Sequence, residues 1–199
     1  MNLATGAAKG GLSPKLIKKL LYQKVEVGPL QDFCVADSTS MVMPSGLMCK
    51  NPMQVEANDF YYGGLNIPSN KTTPTGINVT LIDVDQLPGL NTLGISLARI
   101  DYALDGINPP HIHPRATEML VLIEGSLHVG FVTSNPQNRL ISRVIHTGDV
   151  FVFHAGLIHF QRNVGNRLAV ALLSLSSQNP GLINIRDAVE TLPESVKFK

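Results

Sequence analysis

The sequence predicts an all-β domain, a sandwich or a closed barrel of short strands with little helix. The 17 glycines and 13 prolines are spread through the 199 residues without a repeat period, as in proteins built from many short segments joined by turns. Apolar and polar residues alternate with period two along much of the chain from residue 79 onward. Helical character is confined to one short stretch near the C-terminus, Arg186–Leu192, which Pro193 ends.

Five predicted strands follow one another at regular spacing in the second half of the chain. Turn-forming residues such as Gly125 and Gly148 separate them. The predicted strands are Glu118–Ile123, Ser126–Val132, Arg139–Ile145, Asp149–Phe153 and Leu168–Leu175. Short strands at this spacing are typical of a two-sheet sandwich or a barrel.

An earlier strand is predicted between Leu93 and Tyr102. Its apolar residues fall on odd positions from Leu93 to Leu97 and on even positions from Ile100 to Tyr102. Because successive side chains of a strand point to opposite faces, this switch predicts a β-bulge within the strand.

Composition and charge exclude several classes of protein. Charged residues make up 16% of the chain, against about 25% in typical globular domains, and 44% of the residues are hydrophobic, so disorder and coiled coil are poor fits. The formal net charge of +1 gives no electrostatic footprint for nucleic acid. No apolar run approaches the roughly 20 residues of a transmembrane helix, so we expect no transmembrane segment.

The first 28 residues are predicted to be a separate, Lys-rich segment. Five lysines precede the first acidic residue, Glu26, and they interrupt the apolar core of about 7–15 residues that a secretory signal needs. We expect a solvated tail or a short surface helix, with a weak amphipathic membrane anchor as the alternative. One folded domain is predicted over residues 29–185, followed by a short C-terminal tail over residues 186–199.

Two cysteines and two glycosylation sequons indicate in which cellular compartment the protein resides. Cys34 and Cys49 permit one disulfide, worth about 3 kcal/mol for a loop of this length, and two reduced, buried thiols are the less favoured alternative. Asn70 and Asn78 each begin an Asn-x-Thr sequon in or beside a stretch expected at the surface. A disulfide and glycans would both suit an oxidising, secretory compartment.

Metal-binding chemistry is concentrated in the run Asn-Pro-Pro-His-Ile-His-Pro-Arg-Ala-Thr-Glu, which ends at Glu118. His111 and His113 are two residues apart and therefore point to the same side of an extended chain. Glu118 follows a proline kink and can return to the same point at the start of the next strand. His159, after an apolar strand and a glycine-containing turn, is a fourth candidate. Together the four residues predict a metal site, whereas His128, His146 and His154 are interpreted as ordinary core or surface residues.

The set of four donor residues also limits which metal ion can bind and which small ligands the bound metal can take. Three imidazoles and one carboxylate would close a tetrahedral zinc site, whereas an octahedral ion such as Mn²⁺ keeps positions open for water or substrate. Because Glu118 offsets only part of the charge of a divalent ion, small anions are the expected ligands. Superoxide and oxalate both qualify.

These residues resemble the two motifs of the cupins, and the sequence around His111 and His113 is similar to that of the plant germins and germin-like proteins. The similarity extends upstream through Pro-Leu-Gln-Asp-Phe-Cys-Val-Ala-Asp at residues 29–37 and downstream to Ser-Gln-Asn-Pro-Gly at residues 177–181. The resemblance implies a single jelly-roll β-barrel and Mn²⁺ on the four predicted ligands. It also implies a disulfide between Cys34 and Cys49, glycosylation, and secretion to the apoplast.

The sequence departs from the family pattern at four points. Asp105 replaces the usual glycine of the first motif and His154 the usual proline of the second, and neither change removes a ligand. The Lys-rich segment stands in place of an apolar signal, and the chain ends at Lys199, before the helices with which germins clasp neighbouring subunits. We expect a homo-oligomer, of which the family hexamer is one form.

The resemblance also frames the choice of function. Oxalate-oxidising germins place one asparagine three residues before the first ligand and another ten residues earlier, positions that here hold Asn108 and Ala98. Ala98 cannot donate a hydrogen bond to a bound carboxylate, so superoxide dismutation that yields hydrogen peroxide in defence or cell-wall processes is favoured over oxalate oxidation. Oxalate oxidase stays one alternative. The other is a non-catalytic cupin that serves as a nutrient reservoir, a wall protein or an auxin-binding protein.

Overall fold

A computed structural model describes residues 31–43, 45–68 and 73–197. The chain divides into two units, residues 1–33 and 34–199, and every element below belongs to the second. The predicted Lys-rich segment, residues 1–28, lies outside the described residues, as does Asn70. The strands are β1 (Val42–Met43), β2 (Gly46–Leu47), β3 (Ile77–Ile82), β4 (Ser96–Tyr102), β5 (Ile107–Ile112), β6 (Glu118–Glu124), β7 (Ser126–Val132), β8 (Leu140–His146), β9 (Val150–Phe153), β10 (His159–Asn163), β11 (Ala169–Leu175) and β12 (Ile183–Asn184). The helical elements are α1 (Ile185–Glu190) and the 3₁₀ turns Pro52–Gln54, Ala57–Phe60, Pro88–Leu90 and Glu194–Val196.

Two five-stranded antiparallel sheets make up the body of the described chain. One has the order β12-β5-β10-β7-β8 and the other β3-β4-β11-β6-β9. Their inner faces share one apolar core, to which both sheets contribute Tyr102, Leu120, Leu122, Leu127, Val129, Ile145 and Phe153. Neighbouring strands that are distant in sequence, such as β5 and β10, give the jelly-roll arrangement that the family resemblance implied.

The predicted strands agree closely with the structure. Each of the five predicted after residue 117 is present with bounds that differ by at most one residue, and α1 begins one residue earlier and ends two residues earlier than predicted. Asn78 lies half-buried on β3, an edge strand, opposite Asp101. In the part of the chain that the structure describes, no helix is long and apolar enough to cross a membrane.

The bulge predicted between Leu93 and Tyr102 is wrong. Strand β4 begins only at Ser96, and its even-numbered residues are buried in unbroken alternation from there to Tyr102. Its pairing with β3 and with β11 is continuous. Leu93 and Ile95, whose apolar character suggested a second face, are exposed and precede the strand.

A bulge that the sequence did not reveal lies beside the predicted metal site. His159 of β10 pairs with His111 of β5, but Gln161, two residues on, pairs with Asn108, three residues back, so β5 holds one extra residue. That residue falls in the run that contains Pro109 and Pro110. Because proline has no backbone N–H to give to a ladder, prolines within sheets are tolerated at edges and bulges.

The segment before β3 is closed on itself by a disulfide and is held against the body by a buried side chain, Asn91. Cys34 and Cys49 are joined by the disulfide. Asn91, which is fully buried, accepts a hydrogen bond from Leu47 N–H (3.0 Å) and donates one to Leu47 C=O (2.7 Å). Its amide therefore gives the backbone of β2 the partners that another strand would otherwise provide.

Replacing Asn91 with Ala should loosen this segment. The backbone groups of Leu47 would lose both partners, so we expect a loss of about 1–3 kcal/mol in the free energy of unfolding and faster hydrogen exchange at the Leu47 amide. Urea denaturation and amide exchange measure the two effects. The matched control is Asn66→Ala, which truncates an exposed asparagine. Unchanged stability and exchange in Asn91→Ala would contradict the assigned role.

Candidate metal centre

Three strands bring the four predicted ligands to one point. His111 lies near the end of β5 and His113 just after it, while Glu118 opens β6 and His159 opens β10. His159 and His111 are direct cross-strand partners, with ring centroids 4.1 Å apart. One donor atom from each of the four residues lies within 4.8 Å of the others. The structure therefore gathers the whole predicted set.

The three imidazoles are oriented by backbone carbonyls. The Nδ1 atom of His111 lies 2.8 Å from Pro109 C=O, that of His159 lies 2.8 Å from Leu157 C=O, and that of His113 lies 2.6 Å from Gly181 C=O. A carbonyl can only accept, so each Nδ1 carries the proton and donates it. The lone pair of each neutral ring then sits on Nε2, which is the atom that faces the cluster.

Several buried atoms of the cluster that could ligate a metal have no hydrogen-bond partner. Within the described residues, Nε2 of His111, Nε2 of His159 and Oε2 of Glu118 are buried without a hydrogen bond. Oε2 of Glu118 lies 3.1 Å from Nε2 of His113 and 3.7 Å from Nε2 of His159. Buried polar atoms without partners are costly, and two lone pairs cannot satisfy each other. A cation bound by one donor atom from each of the four residues would satisfy them, so this His/Glu group fits a metal ion.

Gln161 also belongs to the cluster, although the motif-based analysis did not select it. It follows His159 by two residues on β10, so the period-two alternation of a strand was a signal that could have found it. Its Nε2 donates a 3.0 Å hydrogen bond to Oε1 of Glu118, and both side chains are buried. Phe153 is the other neighbour not foreseen, stacked on His159 with ring centroids 4.8 Å apart.

The surroundings shift the pKa values of the group in different directions. Burial, helped by the nearby His159, lowers the pKa of His111 to about 4. Burial alone would raise the pKa of Glu118, but the neighbouring imidazoles of His113 and His159 outweigh it and lower that pKa to about 2. Burial opposes the charged form of His113, but Glu118 and Gly181 C=O together raise its pKa. The carboxylate is therefore ionised and His111 neutral at neutral pH, as metal ligands must be.

A cavity of about 230 Å³ opens onto the cluster. Its walls are mostly apolar, and Ala98 and Asn108, the two positions singled out from the sequence, both line it. The full lining is Val79, Leu81, Asp83, Ala98, Ile100, Asn108, His111, His113, Glu118, Leu173, Leu175, Asn179, Pro180, Gly181 and Leu182.

Arg115 fixes the segment that forms one side of this cavity. Its Nε donates to Asn179 C=O at 2.9 Å, its Nη2 donates to Asn179 Oδ1 at 2.8 Å, and its backbone N–H donates to Pro180 C=O at 3.2 Å. The next residue, Gly181, has φ of +67° and presents its carbonyl to His113. The wall and one imidazole are thus held by the same turn.

The other three histidines lie apart from this cluster. His128 on β7 packs edge-on against Phe160, His146 contacts Ser126 Oγ at 3.0 Å, and His154 is exposed. Among the described residues, the metal-type grouping consists of the four predicted ligands alone.

The burial of His111 predicts a pH dependence of stability in metal-free protein. Between its ordinary pKa of 6.5 and its folded pKa of about 4, the unfolded chain binds a proton that the folded chain does not. Stability should therefore fall by roughly 1–3 kcal/mol as the pH falls from 6.5 to 4. The raised pKa of His113 opposes this fall near pH 6.5, where the unfolded ring is only half protonated, and the lowered pKa of Glu118 adds a smaller fall close to pH 4.

Denaturant unfolding with chelator present, at several pH values, measures this slope. His111→Gln should remove most of it, whereas His154→Gln, a change at an exposed histidine outside the cluster, should keep it. An equal slope in His111→Gln and wild type would contradict the assignment.

Comparisons with known proteins agree with this geometry. The model of the cupin family matches residues 63–198. A putative germin-like protein 2-3 of Oryza sativa subsp. japonica is 60% identical over 160 residues, which are 80% of this chain and 72% of the relative. Germin-like protein subfamily 1 member 7 of Arabidopsis thaliana is 61% identical over 163 residues, 81% of this chain and 71% of the relative.

A solved structure of oxalate oxidase in complex with the substrate analogue glycolate superposes with a TM-score of 0.77 at 41% sequence identity. The match covers 86% of this chain and 85% of that one. With the jelly-roll fold, the gathered His/Glu group and these relatives in agreement, the chain belongs to the germin-like proteins of the cupin family.

Proposed function

We propose that this chain binds manganese through His111, His113, Glu118 and His159 and dismutates superoxide. The observation that carries the proposal is the set of buried, unsatisfied donor atoms that faces a small cavity in the described part of the chain. Four protein ligands leave positions free on an ion that prefers octahedral coordination, which favours manganese over zinc. When bound, manganese supplies a one-electron couple through which one superoxide is oxidised to dioxygen and another, with two protons, is reduced to hydrogen peroxide.

The residues of the chain attract and admit the substrate. Glu118 cancels only part of the charge of a divalent ion, so the centre of the site stays cationic and draws small anions. The mostly apolar walls keep the dielectric low and strengthen that attraction. Asn108 provides a polar side chain in the cavity that can orient a bound anion.

The residue at position 98 argues against oxalate as the main substrate. Ala98 is buried, and its methyl group lines the same cavity as Asn108 and the ligands. A dicarboxylate bound there would have an oxygen facing this methyl group without a donor. Superoxide has two atoms and needs no second hydrogen-bond donor. Alanine in place of asparagine at position 98 therefore weakens superoxide binding less than oxalate binding.

The disulfide supports a secreted protein. Bridges between cysteines persist in oxidising compartments, and Cys34–Cys49 is such a bridge. Together with membership of the germin-like proteins, the bridge supports our proposal of a glycoprotein secreted to the plant apoplast, where its hydrogen peroxide would serve defence or wall chemistry.

Apolar side chains on the outer face of one sheet support a homo-oligomer. Met119, Val150 and Val152 lie side by side on β6 and β9 and are 51%, 56% and 42% exposed in the single chain. Contiguous exposed apolar surface of this kind favours association.

The apolar cavity supports a second candidate function, the binding of a small ligand without turnover. Leu81, Ile100, Leu173 and Leu175 would pack against an aromatic or aliphatic body while the cationic centre holds its carboxylate. An auxin-binding, wall or storage cupin would use the same residues. Full metal loading with neither dismutase nor oxidase activity would favour this role.

The ligand assignment predicts that His113→Ala loses manganese and superoxide scavenging together. Removing one of four ligands should weaken Mn²⁺ binding by at least about 100-fold, beyond the usual effect of losing an outer hydrogen-bond partner. Metal analysis after dialysis and a superoxide assay with and without chelator measure both. His154→Ala, at an exposed histidine, is the control and should keep them. Full manganese stoichiometry in His113→Ala would show that the assignment is wrong.

The role of Ala98 predicts that Ala98→Asn raises oxalate turnover more than it alters dismutation. The new amide would pair with an oxygen otherwise left without a donor, which corresponds to about 10-fold or more in rate. Hydrogen peroxide release from oxalate and superoxide decay, measured on the same preparations, give the comparison. Ala98→Leu, similar in size but without a donor, should show no gain. Strong peroxide release from oxalate by the wild-type protein would overturn the preference.

A further inference from the structure

Gln161 occupies a fixed position beneath the His/Glu cluster. It lies in the middle of β10, where it pairs with Asn108 of β5 on one side and with Val129 of β7 on the other. The side chain is fully buried. Strand pairing on both sides leaves its backbone little freedom, so the amide is delivered to one place.

The contact of Gln161 with Glu118 distinguishes the two carboxylate oxygens. Nε2 of Gln161 donates to Oε1 at 3.0 Å, whereas Oε2 points toward the imidazoles, 3.1 Å from His113 Nε2. The opposite orientation of the amide would set its carbonyl oxygen against an ionised carboxylate, so the N–H₂ group must face Glu118. One oxygen is thus held by the protein, and the other faces the cluster.

We propose that Gln161 is a positioning residue that makes Glu118 a one-oxygen ligand and so keeps coordination positions available for small anions. The inference rests on the proposed metal binding. A carboxylate with both oxygens available can chelate a cation and occupy a further position. The hydrogen bond from Gln161 prevents this because it holds Oε1 on the side away from the three imidazoles.

The number of waters on bound Mn²⁺ tests this role directly. In Gln161→Met, which keeps the length of the side chain but cannot donate, Glu118 should bind through both oxygens and displace a water. Water-proton relaxivity of the Mn²⁺-loaded protein should therefore fall to roughly half, from about two bound waters to about one. The affinity for Mn²⁺ should also change, by about 10-fold or more.

Tyr102→Phe is the matched control. It also removes a buried polar atom from the same core, a hydroxyl that has no hydrogen-bond partner within the described ranges. Because that hydroxyl has no partner there, Tyr102→Phe should keep the stability and the relaxivity of the wild type, and Gln161→Met should keep the same relaxivity if Gln161 acts only through general packing. Equal relaxivity in Gln161→Met and wild type would overturn the proposal. A wild-type protein that binds no Mn²⁺ would instead refute the proposed function.

A measurement on the wild-type protein covers the case in which Gln161→Met does not fold. A crystal structure of the Mn²⁺-loaded protein should show only Oε2 of Glu118 on the metal, with Oε1 still accepting from Gln161. Both carboxylate oxygens within bonding distance of the metal would overturn the assignment.

Discussion

A carboxylate buried among three imidazoles is the constraint on which the described structure depends. Glu118 is 1% exposed, and an ionised group at that depth is tolerated only when charge and hydrogen bonds compensate it. Its compensation comes from across the sandwich, because Glu118 belongs to the sheet that contains β4 and β11, while Gln161, His111 and His159 belong to the other sheet. The site therefore joins the two layers, and their spacing and register must suit it.

Much of this arrangement could be predicted from the sequence because it depends on local periodicity. Five of the strands after residue 117 show clear alternation and glycine turns, so their bounds were predicted to within one residue, whereas β10 and β12 were not predicted as strands. His111 and His113 share a side because they are two residues apart in extended chain. Glu118 and His159 were predicted to join them from the proline kink and the glycine-containing turn, and the family resemblance agreed, although no local pattern says which strands become neighbours.

The errors and omissions concern features set by tertiary pairing. The apolar residues Leu93 and Ile95 suggested a strand face, but β4 starts later, where its neighbours on both sides begin to pair with it. The irregularity beside the site, between His159 and Gln161, depends on how β5 and β10 align. Gln161 itself appears in the sequence as one more polar residue, and its contact with Glu118 arises only when the two sheets pack face to face.

The turn at Gly181 borders the cavity opening and also contacts the His113 ring. It therefore affects both access to the site and the electron density of that imidazole. Its carbonyl polarises the His113 imidazole through Nδ1, and the same few residues border the cavity. A stronger acceptor at Nδ1 makes the opposite nitrogen a better electron donor. A substitution in this turn would therefore change the electron donation of the His113 ring and the shape of the cavity opening together, so the two properties are coupled through one short segment of backbone.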